Sequence, residues 1–252
     1  MTLNAAMGAS FKMTKFELRV MPSFVDYLRS GWAISLVCAI DYTGSNGEPT
    51  RPDSLHFLGP NNQYENALNW VGSIVEPYDS DRSFPVFGFG GIPRHMGINQ
   101  TSHCFALNGN PANPEIIGIP AILQTYRDTQ RMIGLSGPTL FAPLLNEFLN
   151  YCTMMKETTQ YNILLLLTDG IINDMAETKR VIVRLSELPV SIIIVGVGNA
   201  DFSQMEELDG DGGVLRDDMG KPVVRDIVQF VRFNECVARG NLAEEVLKEV
   251  PT

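Results

Sequence analysis

Three short stretches of the chain are apolar almost without interruption: 33–40 (AISLVCAI), 162–168 (NILLLLT) and 190–197 (VSIIIVGV). Each is about one strand long, and runs of that length rich in Ile, Leu and Val fit parallel strands covered on both faces. Residues 83–90 (SFPVFGFG) and 226–233 (DIVQFVRF) read as further strands. Residues 102–108 (SHCFALN), shorter and mixed, read as an edge strand. Between the runs the apolar positions recur every three or four residues. Tyr64, Leu68, Val71 and Val75 mark a helix over 63–77, and Leu140, Leu144, Phe148 and Tyr151 mark another over 139–152. Residues 115–132 and 174–188 are also of helix length, and Pro189 stops the second. Residues 241–249 (NLAEEVLKE) form a last amphipathic helix with Asn241 as its cap. Strand and helix alternate throughout. The expected fold is therefore α/β: a doubly wound, mostly parallel six-stranded sheet with helices on both faces. No repeat and no Pro/Ser-rich linker divides the chain. One domain is expected over 16–252, preceded by a loose tail or expression scar over 1–15.

In such folds ligands sit at the carboxyl ends of the strands, near the point where strand order reverses. Asp41, Thr43 and Ser45 follow the first apolar run; Thr168, Asp169 and Gly170 close the second; Ser136 and Thr139 stand at the start of the 139–152 helix. Two carboxylates and several hydroxyls can thus converge on one sheet edge. Taken singly, each has a structural reading: Asp41 as a turn cap, Thr139 as an N-cap, TDG as a turn. Together, in this order along the chain, they form a set of hard oxygen ligands that suits Mg²⁺ or Mn²⁺.

Composition narrows the choice. The net charge of −10 over 252 residues argues against a nucleic-acid binder and against direct docking on anionic lipid, and favours a divalent cation or a basic partner. No apolar run reaches the roughly 18 residues of a membrane span. The four cysteines are far apart and form no C-x-x-C pair, as in a reduced, intracellular protein. His103 beside Cys104 has no second pair at ligand spacing, so the three histidines read as loop residues rather than zinc ligands. In 209–213 (DGDGG) the twelfth position from Asp209 is Gly220, not the glutamate of an EF-hand, so a tight acidic turn is expected.

Enzymatic patterns are missing. An aspartyl-phosphate enzyme would want a second acid two residues after Asp41, where Thr43 stands. There is no phosphate-binding loop, no nucleophile elbow and no dinucleotide fingerprint.

The pattern D-x-T-x-S at 41–45, Thr139 and TDG at 168–170 resembles the metal-ion-dependent adhesion site of von Willebrand factor A domains. That resemblance implies one Mg²⁺, or Mn²⁺, surrounded by Asp41, Thr43, Ser45, Thr139 and Asp169. Thr43 stands where many members have serine; it keeps the hydroxyl and adds a methyl. Longer blocks, among them AIDYTGSNGEPTRPDSLHF, YDSDRSFPVFGFGG, LLLLTDGIINDM and SIIIVGVGNADFSQMEELDGDGGVL, look like the copine A domain. This implies a cytoplasmic, non-enzymatic binding module that recruits a partner protein through an acidic residue offered to the metal. Whole copines carry two calcium-dependent lipid-binding domains ahead of this one, so membrane contact is expected only indirectly. Two other readings stay open: a metal-dependent hydrolase or phosphotransferase using Asp41 and Asp169, and a structural metal with the partner on another face, such as the Met- and Tyr-containing helices.

Overall fold

The computed structural model describes residues 24–248 apart from residues 61 and 80. The expected tail over 1–15 lies outside the described residues. The strands are β1 (Ala33–Asp41), β2 (Ser83–Phe89), β3 (Gly91–Pro93), β4 (Phe105–Ala106), β5 (Glu115–Ile117), β6 (Ile133–Leu135), β7 (Gln160–Thr168), β8 (Val190–Gly196) and β9 (Val228–Arg232). The helices are α1 (Phe24–Arg29), α2 (Gln63–Val75), α3 (Ile119–Thr129), α4 (Ala142–Met154), α5 (Met175–Leu185), α6 (Ser203–Asp209), α7 (Phe233–Arg239) and α8 (Leu242–Leu247).

The main sheet runs β4-β2-β1-β7-β8-β9, with β5 also on β2. The five strands from β2 to β9 are parallel, and β4 and β5 pair antiparallel along the same β2 strand. The chain leaves β1 toward β2 on one side and later returns to β7 on the other. The order therefore reverses between β1 and β7, and the crevice at their carboxyl ends is the expected ligand position.

Side chains of a strand alternate between faces, and here both faces are apolar. Ile34, Leu36, Cys38 and Ile40 of β1 join Ile163, Leu165 and Leu167 of β7 against α2, α3, α7 and α8. Val37 and Ala39 join Leu164, Leu166, Ile192 and Ile194 against α4, α5 and α6. This two-sided burial is why the central strands read as unbroken apolar runs.

Several boundaries differ from the sequence expectation. The main sheet has seven strands rather than six, and β3 and β6 form a separate two-stranded ribbon. Within 102–108 only Phe105 and Ala106 pair. The segment 115–132 opens as strand β5; Gly118 then turns the chain at φ +80°, and helix α3 starts only at Ile119. In 226–233 the strand ends at Arg232 and Phe233 begins α7. Asn241 does precede α8, but its side chain caps no backbone N–H and instead donates to Glu245 Oε1.

Candidate metal centre

Asp41 is the last residue of β1 and is fully buried. Its Oδ1 accepts from Thr43 N at 2.8 Å and from Thr43 Oγ1 at 2.6 Å, and its Oδ2 accepts from Thr168 Oγ1 at 2.7 Å across the β1–β7 pair. The chain then makes one short 3₁₀ turn, Gly44–Asn46, which leaves Ser45 exposed with its Oγ 3.1 Å from Thr43 Oγ1. Buried Asn46 pins this turn: Nδ2 donates to Thr43 O at 3.1 Å, and Oδ1 accepts from Tyr64 OH at 2.7 Å. The extra methyl of Thr43 packs against Gly90. There φ is +73°, and a Cβ would fall 2.2 Å from Thr43 Cγ2, so glycine answers two demands at once.

The second loop is tied to the first through Ser136. Its backbone N–H donates to Tyr42 O at 3.2 Å, its carbonyl accepts from Gly44 N, and Thr43 and Ser136 form an isolated parallel bridge. Thr139, three residues on, is buried. Contrary to expectation it does not open the helix. Helix α4 begins at Ala142, and the N–H groups of Phe141 and Ala142 donate to Asp174 Oδ1 and Oδ2 at 3.0 and 2.8 Å. The helix start is thus capped by a carboxylate from another loop, an arrangement that satisfies orphan donors and suits the helix dipole.

The third loop follows β7. Asp169 is 3 % exposed, and its Oδ1 is buried without a hydrogen-bond partner among the described residues. Burial pushes the Asp169 carboxyl up; the Ser45 hydroxyl and the Ile171 N–H act in the opposite direction. Asp41 is also pushed up, first by burial and then by the charge of Asp169, against the pull of the Thr43 and Thr168 hydrogen bonds. Two desolvated carboxylates, one raised by the charge of the other, with an orphaned oxygen on Asp169, make a place that would favour positive charge. The structure brings Asp41, Thr43, Ser45 and Asp169 together by direct interactions, and ties Thr139 by its backbone to Asn173 in the loop that carries Asp169.

Sequence reading missed several supporting residues. Asn46, Asn173 and Asp174 are polar residues in turns and loops, and only their partners reveal what they do. His56, expected as an ordinary loop histidine, lies fully buried with its ring stacked on Tyr64 at 4.1 Å and near Tyr42 at 5.1 Å. Its Nε2 meets Asp41 O at 2.7 Å and its Nδ1 meets Tyr126 OH at 2.7 Å. A carbonyl oxygen only accepts, so Nε2 carries the proton. Burial holds this imidazole down to about 4, so it is neutral at physiological pH. His56 thus supports the backbone at the end of β1, where the first loop begins.

Outward from Asp169 the surface opens into a cavity of 420 Å³ lined by Ser45, Glu48, Arg51, Asp53, Asn199 and Ala200 among others, with no histidine, lysine or cysteine in its wall. Ile171 stands 47 % exposed in the same loop as Asp169. Elsewhere, all four cysteines are free, and burial pushes Cys38, Cys104 and Cys152 up to about 12. Among the described residues, no three His, Cys, Asp or Glu side chains gather as a metal cluster, at 209–213 or elsewhere. Asp209 instead accepts from Phe230 N at 2.7 Å, joining the end of α6 to β9. No helix among the described residues is long and apolar enough to cross a membrane.

The fold is similar to that of manganese-loaded TRAP protein from Plasmodium vivax (TM-score 0.52, 17 % identity, 82 % of this chain and 71 % of that one). Weaker likenesses are to mussel byssus proximal thread matrix protein 1 with a zinc-occupied MIDAS motif (TM-score 0.48, 16 % identity, 86 % and 45 %) and to a von Willebrand factor type A protein from Catenulispora acidiphila (0.45, 14 %, 87 % and 43 %). This chain spans less than half the length of the latter two. The doubly wound sheet with its reversal between β1 and β7 is a fold of the von Willebrand factor A class. The copine family model matches residues 54–252, most of the chain, and the chain belongs to the copine family. That matched region contains Thr139 and Asp169 and begins after Asp41, Thr43 and Ser45.

Proposed function

We propose that this domain is a non-catalytic protein-binding module whose partner is met at a divalent cation held by Asp41, Thr43, Ser45, Thr139 and Asp169. The observation that carries the reading is the buried Oδ1 of Asp169, without a hydrogen-bond partner among the described residues and on a carboxylate whose charge reaches the buried Asp41. Carboxylate and hydroxyl oxygens without nitrogen or sulfur fit Mg²⁺ or Mn²⁺ better than Zn²⁺. A bound cation would neutralise the repulsion between the two acids and offer an open position to an acidic side chain of the partner. Membership in the copine family and the manganese-loaded protein of similar fold agree with this reading.

A hydrolase using Asp41 and Asp169 has less support. The cavity adjoining Asp169 has no histidine or lysine in its wall to move protons. The proposed setting is cytoplasmic, with membrane contact supplied by lipid-binding domains elsewhere in a full-length copine. Calorimetric titration of the chain with MnCl₂ tests the site: one binding event that Asp169→Ala abolishes supports it, and undiminished binding by that variant refutes it. Capture of a partner with and without chelator then separates recognition at the cation from recognition on another face.

A further inference from the structure

A cavity among the described residues lies away from the carboxylate centre. It has a volume of 590 Å³ and sits between α4 and the 96–114 loops, with its floor on Val37 and Leu164 of the central strands. Helices α4, α5 and α6 share the apolar cluster on this face of the sheet, but beside β2 and β4 the wall is made by loop residues such as Met96, Ile98 and Pro111. A gap therefore remains beside α4, in the size range of ligand-binding clefts. Phe87, Phe148 and Tyr151 form its aromatic wall, and Met154, 75 % exposed, stands at its mouth. Flexible methionine side chains suit surfaces that accept varied apolar groups.

Charge decides what fits. The only charged residues in the lining are Glu115 and Glu147; it holds no lysine or arginine. Neither glutamate forms an ion pair among the described residues, although Glu115 Oε2 accepts from Ser83 Oγ at 2.9 Å. Glu147 lies near enough to Cys104 to add to the upward push that burial gives that thiol. A fatty acid or anionic lipid would bring its own negative charge to these two carboxylates and be repelled. An apolar group followed by a cation would fill the cavity and pair with them.

We propose that this cavity is a second docking site, independent of the metal centre, for a short segment of a partner protein that carries large apolar residues next to lysine or arginine. The apolar side chains enter between α4 and β2, and the basic group meets Glu147 and Glu115 at the rim. A complete chelator does not affect this contact, because none of the lining residues belongs to the carboxylate site.

The test uses the whole chain in EDTA and three short fluorescent peptides: Leu/Phe with Lys/Arg, the same with Glu in place of the basic residues, and the same with Ser in place of the apolar ones. Only the first should bind. Glu147→Lys should weaken it by about tenfold and bring in the glutamate peptide instead, the behaviour of a directly facing charge pair. Met154→Asp, at a position 75 % exposed, should also weaken it. Glu244→Lys changes net charge equally on the exposed surface of α8 and should leave binding unchanged; that control separates the cavity from general attraction to an acidic protein. Equal loss in Glu147→Lys and Glu244→Lys, equal binding of the three peptides, or no binding of the first would overturn the proposal.

Discussion

Thr139 and Asn173 hold each other by two hydrogen bonds: Thr139 N donates to Asn173 Oδ1 at 2.9 Å, and Asn173 N donates to Thr139 O at 2.8 Å. This clasp fixes the loop before α4 to the loop after β7, so Thr139 and Asp169 cannot move apart without breaking it. Asn173→Ala removes the side-chain half. One hydrogen bond of this kind is worth about 1 kcal/mol, so Mn²⁺ affinity should fall roughly five- to tenfold while the fold persists. Calorimetry on the variant, with circular dichroism to confirm folding, checks this.

Asp174, the neighbouring residue, should act on stability instead. Its carboxylate takes the first N–H groups of α4. Asp174→Ala leaves them without a partner and should cost about 1–2 kcal/mol, as lost caps do. Urea unfolding of the variant measures that cost, and a midpoint equal to wild type would show that the cap does not matter.

These two residues also show what was legible in the sequence. Asp41, Thr43, Ser45 and Asp169 announce themselves because each follows an apolar run at the end of a strand. Asn173 and Asp174 do not, because their partners lie more than thirty positions away and only the folded chain supplies them. Strands β1, β7 and β8 were readable from continuous apolar runs. Strands β3, β5 and β6 are three residues each, too short to show a period, and their pairing is decided by where the loops between larger elements lie. Thr139 reads as the start of its helix because the sequence offers a good capping residue there, and the structure uses Asp174 instead. Helix α7 is hidden because Phe233, after the single polar Arg232, reads as one more apolar position of the strand.

His56 predicts a pH effect with a definite sign. Its folded value of about 4 lies below the ordinary 6.5, so the unfolded chain binds the proton more readily. Stability from the neutral, buried ring is present above the unfolded value and is lost as pH falls from 6.5 toward 4. The full effect is roughly 3 kcal/mol for such a shift of a fully buried group. The difference in unfolding free energy between wild type and His56→Gln should therefore be largest near pH 7 and shrink by pH 4.5. A constant difference would show that the ring is not held neutral.

Asp209 should work in the opposite direction. Burial, with the charges of Asp211 and Asp226 adding, pushes its carboxyl up to about 7. The folded state then holds a proton that the unfolded state releases, so stability declines as pH rises from about 4 to 7. Asp209→Asn keeps an acceptor for Phe230 N and removes the charge. After allowance for its partial solvent contact, the variant should gain about 1 kcal/mol over wild type at pH 8 and nothing near pH 4. Paired thermal melts at the two pH values decide it.

The cation itself should stabilise the fold. A ligand bound only by the native state adds about 2.7 kcal/mol at a hundredfold excess over its dissociation constant. Asp169→Asn should abolish that gain, and in chelator it should be at least as stable as wild type, because the repulsion with Asp41 is gone. If Mn²⁺ stabilises the variant as strongly as wild type, Asp169 is not a ligand.

The most direct measurement of the central claim is anomalous diffraction from crystals soaked in MnCl₂. The account predicts one strong peak enclosed by Asp41, Thr43, Ser45, Thr139 and Asp169, with direct oxygen contacts at roughly 2.0–2.2 Å and the remaining positions filled by water. No peak there, or a peak only at the acidic turn around Asp209 and Asp211, would contradict it.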